Sequence, residues 1–175
     1  MTQCGMGEQF ERDHWGTISV DTMVSQVRQQ LTRQDQQQRT ADAATMSRMR
    51  IYNDIKSDPE TNEPASYITG IPDRQKRSAI ARFRMGTLPL HIETGRYINT
   101  PLNERLCRNC SLEVTEDEYH FLFICDKYCV NRNNHIVIDR EATVNENTRS
   151  IFADINRTRH LGQFIIEALT IRNQR

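Results

Sequence analysis

No stretch of this 175-residue chain approaches the ~18 consecutive apolar residues that a membrane span needs. Net charge is missing too: 23 Lys plus Arg balance 23 Asp plus Glu, so global charge gives no pull toward nucleic acid or anionic lipid. The opening "MTQCGMGEQFERDHWG" lacks the basic start and apolar run of a secretory signal. Position 2 is not the Gly that myristoylation requires. The expectation is an intracellular protein, nuclear or cytoplasmic, with no membrane association and with reduced thiols. There is no Asp-Asp pair, P-loop, glycine-rich dinucleotide motif or Ser-His-Asp order, and the acidic residues are dispersed. These gaps argue against an enzyme and against a small-molecule substrate.

Apolar residues are also scarce. They make up 37% of the chain, and even with seven glycines added the share stays under the ~45–50% usual for globular proteins. A small core beside a polar extension gives that balance. Residues 1–18 carry scattered charge without periodicity and read as a disordered lead-in. From Ser19 a helical stripe begins with Val20, Met23, Val27 and Leu31. It then stops in a glutamine-rich run, where a helix polar all round is expected to fray. Residues 1–40 are thus expected to be a disordered or loosely helical arm, and 41–175 a helical domain.

Within that domain a helix is expected over residues 41–56, with Ala44, Arg48, Ile51 and Ile55 on one face, followed by a turn-rich linker over 57–64. A further helix over 72–85 has Ala79, Ile80 and Phe83 toward the core, with Gly86 suited to the position just past its end. Residues 87–101 mix β-branched residues with Pro89 and Gly95, and read as extended with a turn, at most one short strand. "HIVI" at 135–138 fits a brief strand or a helical turn. Near the end, Ile151, Phe152 and Ile155 form one patch, and Leu161, Phe164, Ile165, Ala168 and Leu169 a strong helical stripe that reaches Arg172. The fold class is mainly α: a small helical domain with few short extended segments.

Three of the five cysteines and one of the five histidines crowd into residues 106–125, "LCRNCSLEVTEDEYHFLFIC". Two residues separate Cys107 from Cys110, which lets a tight turn point both sulfurs at one ion while its amides hydrogen-bond the thiolates. His120 and Cys125 follow on a helical stretch. Five positions on an ideal helix differ by about 140°, so those two share an ion only if the helix ends or bends near Cys125. Structural Zn2+ in a closed Cys3His set is the metal reading; the plainer one is four residues that are merely buried or solvated. Cys129 is an alternative to Cys125. Glu116, Asp117 and Glu118 could favour a helix N-terminus or accept the second ring N–H of His120, but a solvated face is expected for at least two of them. Cys4, His14, His91, His135 and His160 have no nearby Cys or His and are expected to be idle, solvated or core residues.

Between residues 71 and 110 eight cations face three anions. Arg74, Lys76, Arg77, Arg84 and Arg108 form the candidate nucleic-acid-binding set, with RNA or DNA as partner. The competing reading pairs these arginines with the acidic run at 113–118. Phe83 and Tyr97 could stack on bases, although Phe83 suits the core better. Glu93 and Arg96 are expected to form a buried pair.

The strings "RSAIARFRMGTLPLHIETGRY", "TPLNERLCRNC" and "EDEYHFLFICDKY" resemble the segment C-terminal to the polymerase in non-LTR retrotransposon reverse transcriptases of invertebrates. The resemblance is close over residues 71–128, weaker over 48–56 and the last helix, and not visible upstream of about residue 40. It implies a reverse-transcriptase-associated zinc-binding module, a zinc knuckle over 107–125, whose ligands would be Cys107, Cys110, His120 and Cys125. One departure is Asp126, where the family often has Pro. The carboxylate pair that such polymerases need for two catalytic metals is missing. The resemblance therefore implies a detached segment without polymerase activity, with a retrotransposon polymerase as a candidate partner.

Overall fold

The computed structural model describes residues 19–55 and 64–174. The lead-in at 1–18, Cys4, His14 and most of the turn-rich linker lie outside the described residues. The chain divides into two compact units at Thr45/Met46.

Of the first unit the structure describes Ser19 and one helix, α1 (Val20–Thr45), of 26 residues. Ser19 starts it: its Oγ accepts the backbone N–H of Thr22. The helix does not fray after Leu31, as expected from its polar run, but continues to Thr45. Its glutamines, arginines and alanines are good helix formers. Local pairs add to that, with Asp35–Arg39 at 2.8 Å and Gln38 donating to Asp42 at 2.8 Å. Nor is 41–56 a single helix. Met46 is extended (φ −84°, ψ 107°), and a 3-10 turn, Ser47–Met49, leads into the short α2 (Arg50–Ile55).

The second unit contains α2, α3 (Ser66–Gly70), α4 (Arg74–Arg84), α5 (His91–Tyr97), α6 (Cys129–His135), α7 (Val144–Ala153) and α8 (Ile155–Asn173). Among the described residues there is no β-strand, and no helix is long and apolar enough to cross a membrane. Helix α8 is the hub, packing against α3, α4, α6 and α7. Gly162 lets α4 come close: a Cβ there would lie 2.9 Å from the Lys76 Cβ and 3.1 Å from the Ile80 Cδ1. The stripe expected on the last helix is the one that is buried, with Leu161, Phe164, Ile165 and Ala168 all fully covered. Ala79, Ile80 and Phe83 are likewise buried on α4.

Caps explain where α4 begins and ends. The Asp73 carboxylate accepts from the amides of Gln75 and Lys76. At the other end Thr87 N–H bonds to Arg82 O and Gly86 N–H to Phe83 O, the paired bonds of a Schellman turn. Gly86 has φ +60°, and a Cβ would sit 2.2 Å from the Arg48 carbonyl, so glycine is required twice over. Helix α7 starts on a capping box between Thr143 and Glu146.

Residues 87–101 correct the extended reading, because they contain α5. Its first amides find partners far along the chain: His91 N–H donates to Glu116 Oε2 at 2.7 Å and Ile92 N–H to Glu116 O at 3.0 Å. Tertiary bonds of this kind outweigh the weak local propensity of a segment holding Gly95. That glycine lies under the Arg105 side chain, 2.9 Å from a would-be Cβ. Glu93 and Arg96 do pair within α5, at 3.2 Å, with Glu93 buried. The "HIVI" segment splits: His135 closes α6 and Ile136 is extended and buried.

Candidate metal centre

Two local structures meet here. The first is a hairpin: Leu106 bridges Thr115 in antiparallel fashion, Cys107 N–H bonds to Val114 O, and Glu116 N–H bonds to Arg105 O. Cys107 and Cys110 sit in its loop. The amide of Asn109 points at the Cys107 sulfur, 3.4 Å away, as the Cys-x2-Cys spacing predicts.

The second is a widened helical turn, His120–Ile124, closed by an i→i+5 bond from Cys125 N–H to His120 O at 2.8 Å. This answers the 140° problem. The wide turn brings positions five apart nearer to one face, and the helix ends at Cys125, whose backbone is extended (φ −58°, ψ 123°). Phe121 and Leu122 hold the turn on the core, with Phe121 edge-on to Tyr128 at 5.0 Å and tilted on Phe164 at 5.4 Å. Asp126 opens a 3-10 turn, Asp126–Tyr128, that leads into α6.

The outcome is one cluster: Cys107 Sγ, Cys110 Sγ, His120 and Cys125 Sγ offer ligand atoms within 4.8 Å of one another. Cys107 and Cys125 sulfurs are 3.9 Å apart, and Cys110 Sγ lies 3.5 Å from His120 Nε2. A tetrahedral ion with ~2.3 Å bonds to sulfur and ~2.0–2.1 Å to nitrogen needs edges of about 3.8 Å (S···S) and 3.6 Å (S···N). Two of the six separations match these edges and all lie within 4.8 Å, so the four donors are close enough to hold one metal ion. Cys129 is exposed and outside the cluster; its nearest described partner is the Asn133 amide at 3.9 Å.

Burial sets the protonation of these groups. It pushes the Cys125 thiol up to about 12 and raises that of Cys107, the latter helped by the nearby Glu116 carboxylate. It lowers His120 by penalising the imidazolium. With no ion bound, neutral thiols and a neutral ring are favoured, so an ion must displace thiol protons to enter.

The acidic run is not a solvated face. Glu116 and Glu118 are buried. None of the three takes the second ring nitrogen of His120; Nδ1 is buried with no partner. Asp117 instead accepts the His120 backbone N–H at 2.8 Å, and both Asp117 and Glu118 pair with Arg50. Glu116 is the junction. It accepts from His91 N–H, from the Asn109 side chain at 3.0 Å and from two nitrogens of Arg172, joining hairpin, α5 and the end of α8. Sequence reasoning passed over Arg172, whose signal was a cation placed on an apolar stripe. It also passed over Arg132, buried on α6, which donates to Leu122 O at 2.6 Å and Cys125 O at 2.7 Å. Arg132 satisfies carbonyls that the widened turn leaves open and puts a cation beside the cysteines.

The candidate nucleic-acid residues are dispersed. Arg74 and Arg108 are exposed, and Lys76 is half-buried. Arg77 donates to the Ile71 and Pro72 carbonyls, at 2.6 and 2.7 Å. Arg84 stands among the rings of Tyr52, Tyr67 and Phe152, 5.4–5.8 Å from each centroid. The acidic run pairs with Arg50 and Arg172, not with the cations of 71–110. His91 is buried, with Nδ1 2.9 Å from Leu106 O, His135 pairs with Glu167 at 2.8 Å, and His160 is exposed.

Comparison of the chain with protein-family models, with curated proteins and with solved structures finds no match in any of the three.

Proposed function

We propose that this protein is a zinc-stapled helical module that contacts nucleic acid and does not itself polymerise. The observation that carries the reading is the convergence of three sulfurs and one imidazole within 4.8 Å of one another. Sulfur-rich donors with one imidazole suit Zn2+ above the harder divalent ions. Four protein ligands leave no position for water or substrate, so the ion is structural, and it polarises nothing. Its binding energy, roughly 10–16 kcal/mol in small zinc modules, enters as folding energy. The excess of cations over residues 71–110 supports phosphate contact. The resemblance of residues 71–128 to the segment that follows a retrotransposon polymerase supports template RNA or target DNA as the partner.

A second reading, an interaction or structural module in which zinc only staples helices, draws on Arg77 and Arg84. Both are engaged inside the fold. Two measurements separate the readings. Elemental analysis of protein purified without added metal is expected to give one zinc per chain, and a value near zero with the fold intact in chelator removes the zinc. Binding to single- and double-stranded RNA and DNA is expected to weaken steeply with salt; no binding at low salt leaves the scaffold.

A further inference from the structure

The second unit has an open cavity of about 350 Å³ whose charged wall is Arg48, Arg50, Arg96 and Arg105 with Glu93 and Glu118. Four cations against two carboxylates leave a local positive excess in a chain that is neutral overall. The arginines are only partly engaged. Arg50 reaches Asp117 and Glu118 through one nitrogen, Nη2. Arg96 meets Glu93 through Nε and Ser47 through Nη2. Arg105 donates Nε to Thr100 O and Nη1 to Ile92 O. Arg48 has no ion pair with any described residue. A guanidinium carries five N–H donors, so each keeps donors that no described acceptor takes. Two polar atoms of the wall, Glu93 Oε2 and Arg96 Nε, are buried and meet only each other, as an ion pair without hydrogen-bond geometry.

Beside this cavity stands Tyr97, a residue 77% exposed. It is not free to swing. Its hydroxyl donates to Glu93 Oε1 at 3.2 Å, and Glu93 is itself part of the wall. A tethered, exposed aromatic next to a cationic cavity matches the two needs of an unpaired nucleotide: donors for its phosphate and a flat face for its base. A duplex hides its base faces and would leave Tyr97 unused.

We infer that the cavity of Arg48, Arg50, Arg96 and Arg105 seats a backbone phosphate of single-stranded nucleic acid, whose neighbouring base stacks on Tyr97. This rests on the nucleic-acid reading above and relocates its contacts from the cations of α4 and Arg108 to the cavity between α2 and α5.

The test uses the full zinc-loaded chain and a fluorescein-labelled uridine decamer carrying one 5-iodouracil, followed by anisotropy across salt concentrations and by photocrosslinking. Arg48→Ala is expected to lower the salt slope by about one, and Tyr97→Leu to weaken binding by about tenfold. Both residues are exposed, so neither change threatens the fold. The crosslink is expected at Tyr97. If Arg48→Ala and Tyr97→Leu bind like the parent while Arg74→Ala, Lys76→Ala or Arg108→Ala weaken binding, the cavity is overturned and the nucleic-acid reading survives. A crosslink mapped away from Tyr97 likewise overturns the cavity. If the parent protein binds no oligonucleotide at low salt, both fall together.

Discussion

Helices α1 and α8 are the two longest in the structure, and they are helical for different reasons. In α8, 19 residues long, Thr158, Leu161, Gly162, Phe164, Ile165 and Ala168 are all buried, and four other helices pack on it. In α1, 26 residues long, only Ala43 is buried, and the side chains of Val20, Val24 and Leu31 are exposed. The helical period of α8 carries apolar residues for most of its length, whereas that of α1 runs out at Leu31. Helix α1 persists through propensity and i,i+4 pairs; α8 persists through burial. Disturbing the metal centre and the core should therefore affect α8 and leave α1 nearly unchanged.

Removing the metal is expected to have the largest effect. Binding worth roughly 10–16 kcal/mol is comparable to a domain's whole net stability, ~5–15 kcal/mol. Chelation, or Cys125→Ser, is expected to abolish amide protection in the 105–125 hairpin and turn and to loosen α8 through Phe121 and Phe164. The exchange of residues 20–45 is expected to stay as it was. Unchanged protection over 105–125 in chelator would show that the hairpin and turn need no ion.

Next comes Glu116→Gln. It leaves Arg172, mostly buried, beside an uncharged amide, and breaking a buried pair from one side costs about 3 kcal/mol or more. Replacing both, Glu116→Gln with Arg172→Met, is expected to recover part of that loss in urea unfolding. Additive losses would mean that the two residues act independently and that Glu116 is no junction.

These two sites also mark how far the sequence could be read. The Cys/His set was legible because ligand spacing is a local property: Cys107-x2-Cys110 fixes a turn, whereas the reach from His120 to Cys125 and the choice between Cys125 and Cys129 depended on where the helix ends. The stripe of α8 and the Gly86 stop were legible for the same reason. Helix α5 was not, because its first amides are satisfied by Glu116, 25 residues away. The roles of Glu116, Glu118, Arg132 and Arg172 were hidden too, since no local pattern says that a charged residue is buried and what it meets. Helix α1 continues beyond Leu31 for the opposite reason: simple helix propensity outweighs the loss of amphipathic pattern there.

A change of pH should act on the metal-free and metal-loaded forms in opposite ways. In the metal-free protein the Cys125 thiol is raised from 9.0 to about 12 by burial. A group raised on folding stabilises below its unfolded value and stops doing so as pH climbs through the folded one. The metal-free chain is therefore expected to lose stability between about pH 9 and 12. The loaded chain is expected to weaken on the acid side, where protons compete for sulfur. Three displaced protons, from Cys107, Cys110 and Cys125, make apparent zinc affinity rise by about three decades per pH unit near neutrality. Competition with a chromophoric chelator from pH 6.5 to 8 measures that slope, and a flat line would mean that the buried thiols are not ligands.

The smallest effect is expected in α1. Leu31 is 47% exposed, so truncating it to Ala removes little covered surface. Alanine is also the better helix former, by a few tenths of a kcal/mol. Leu31→Ala should therefore leave the urea midpoint within about 0.5 kcal/mol of the parent and leave ellipticity at 222 nm the same or slightly higher. The same change at Leu161 on α8, which is fully buried, is expected to cost about 2–5 kcal/mol. If the two substitutions cost the same, α1 is held by burial after all, and the distinction between the helices disappears.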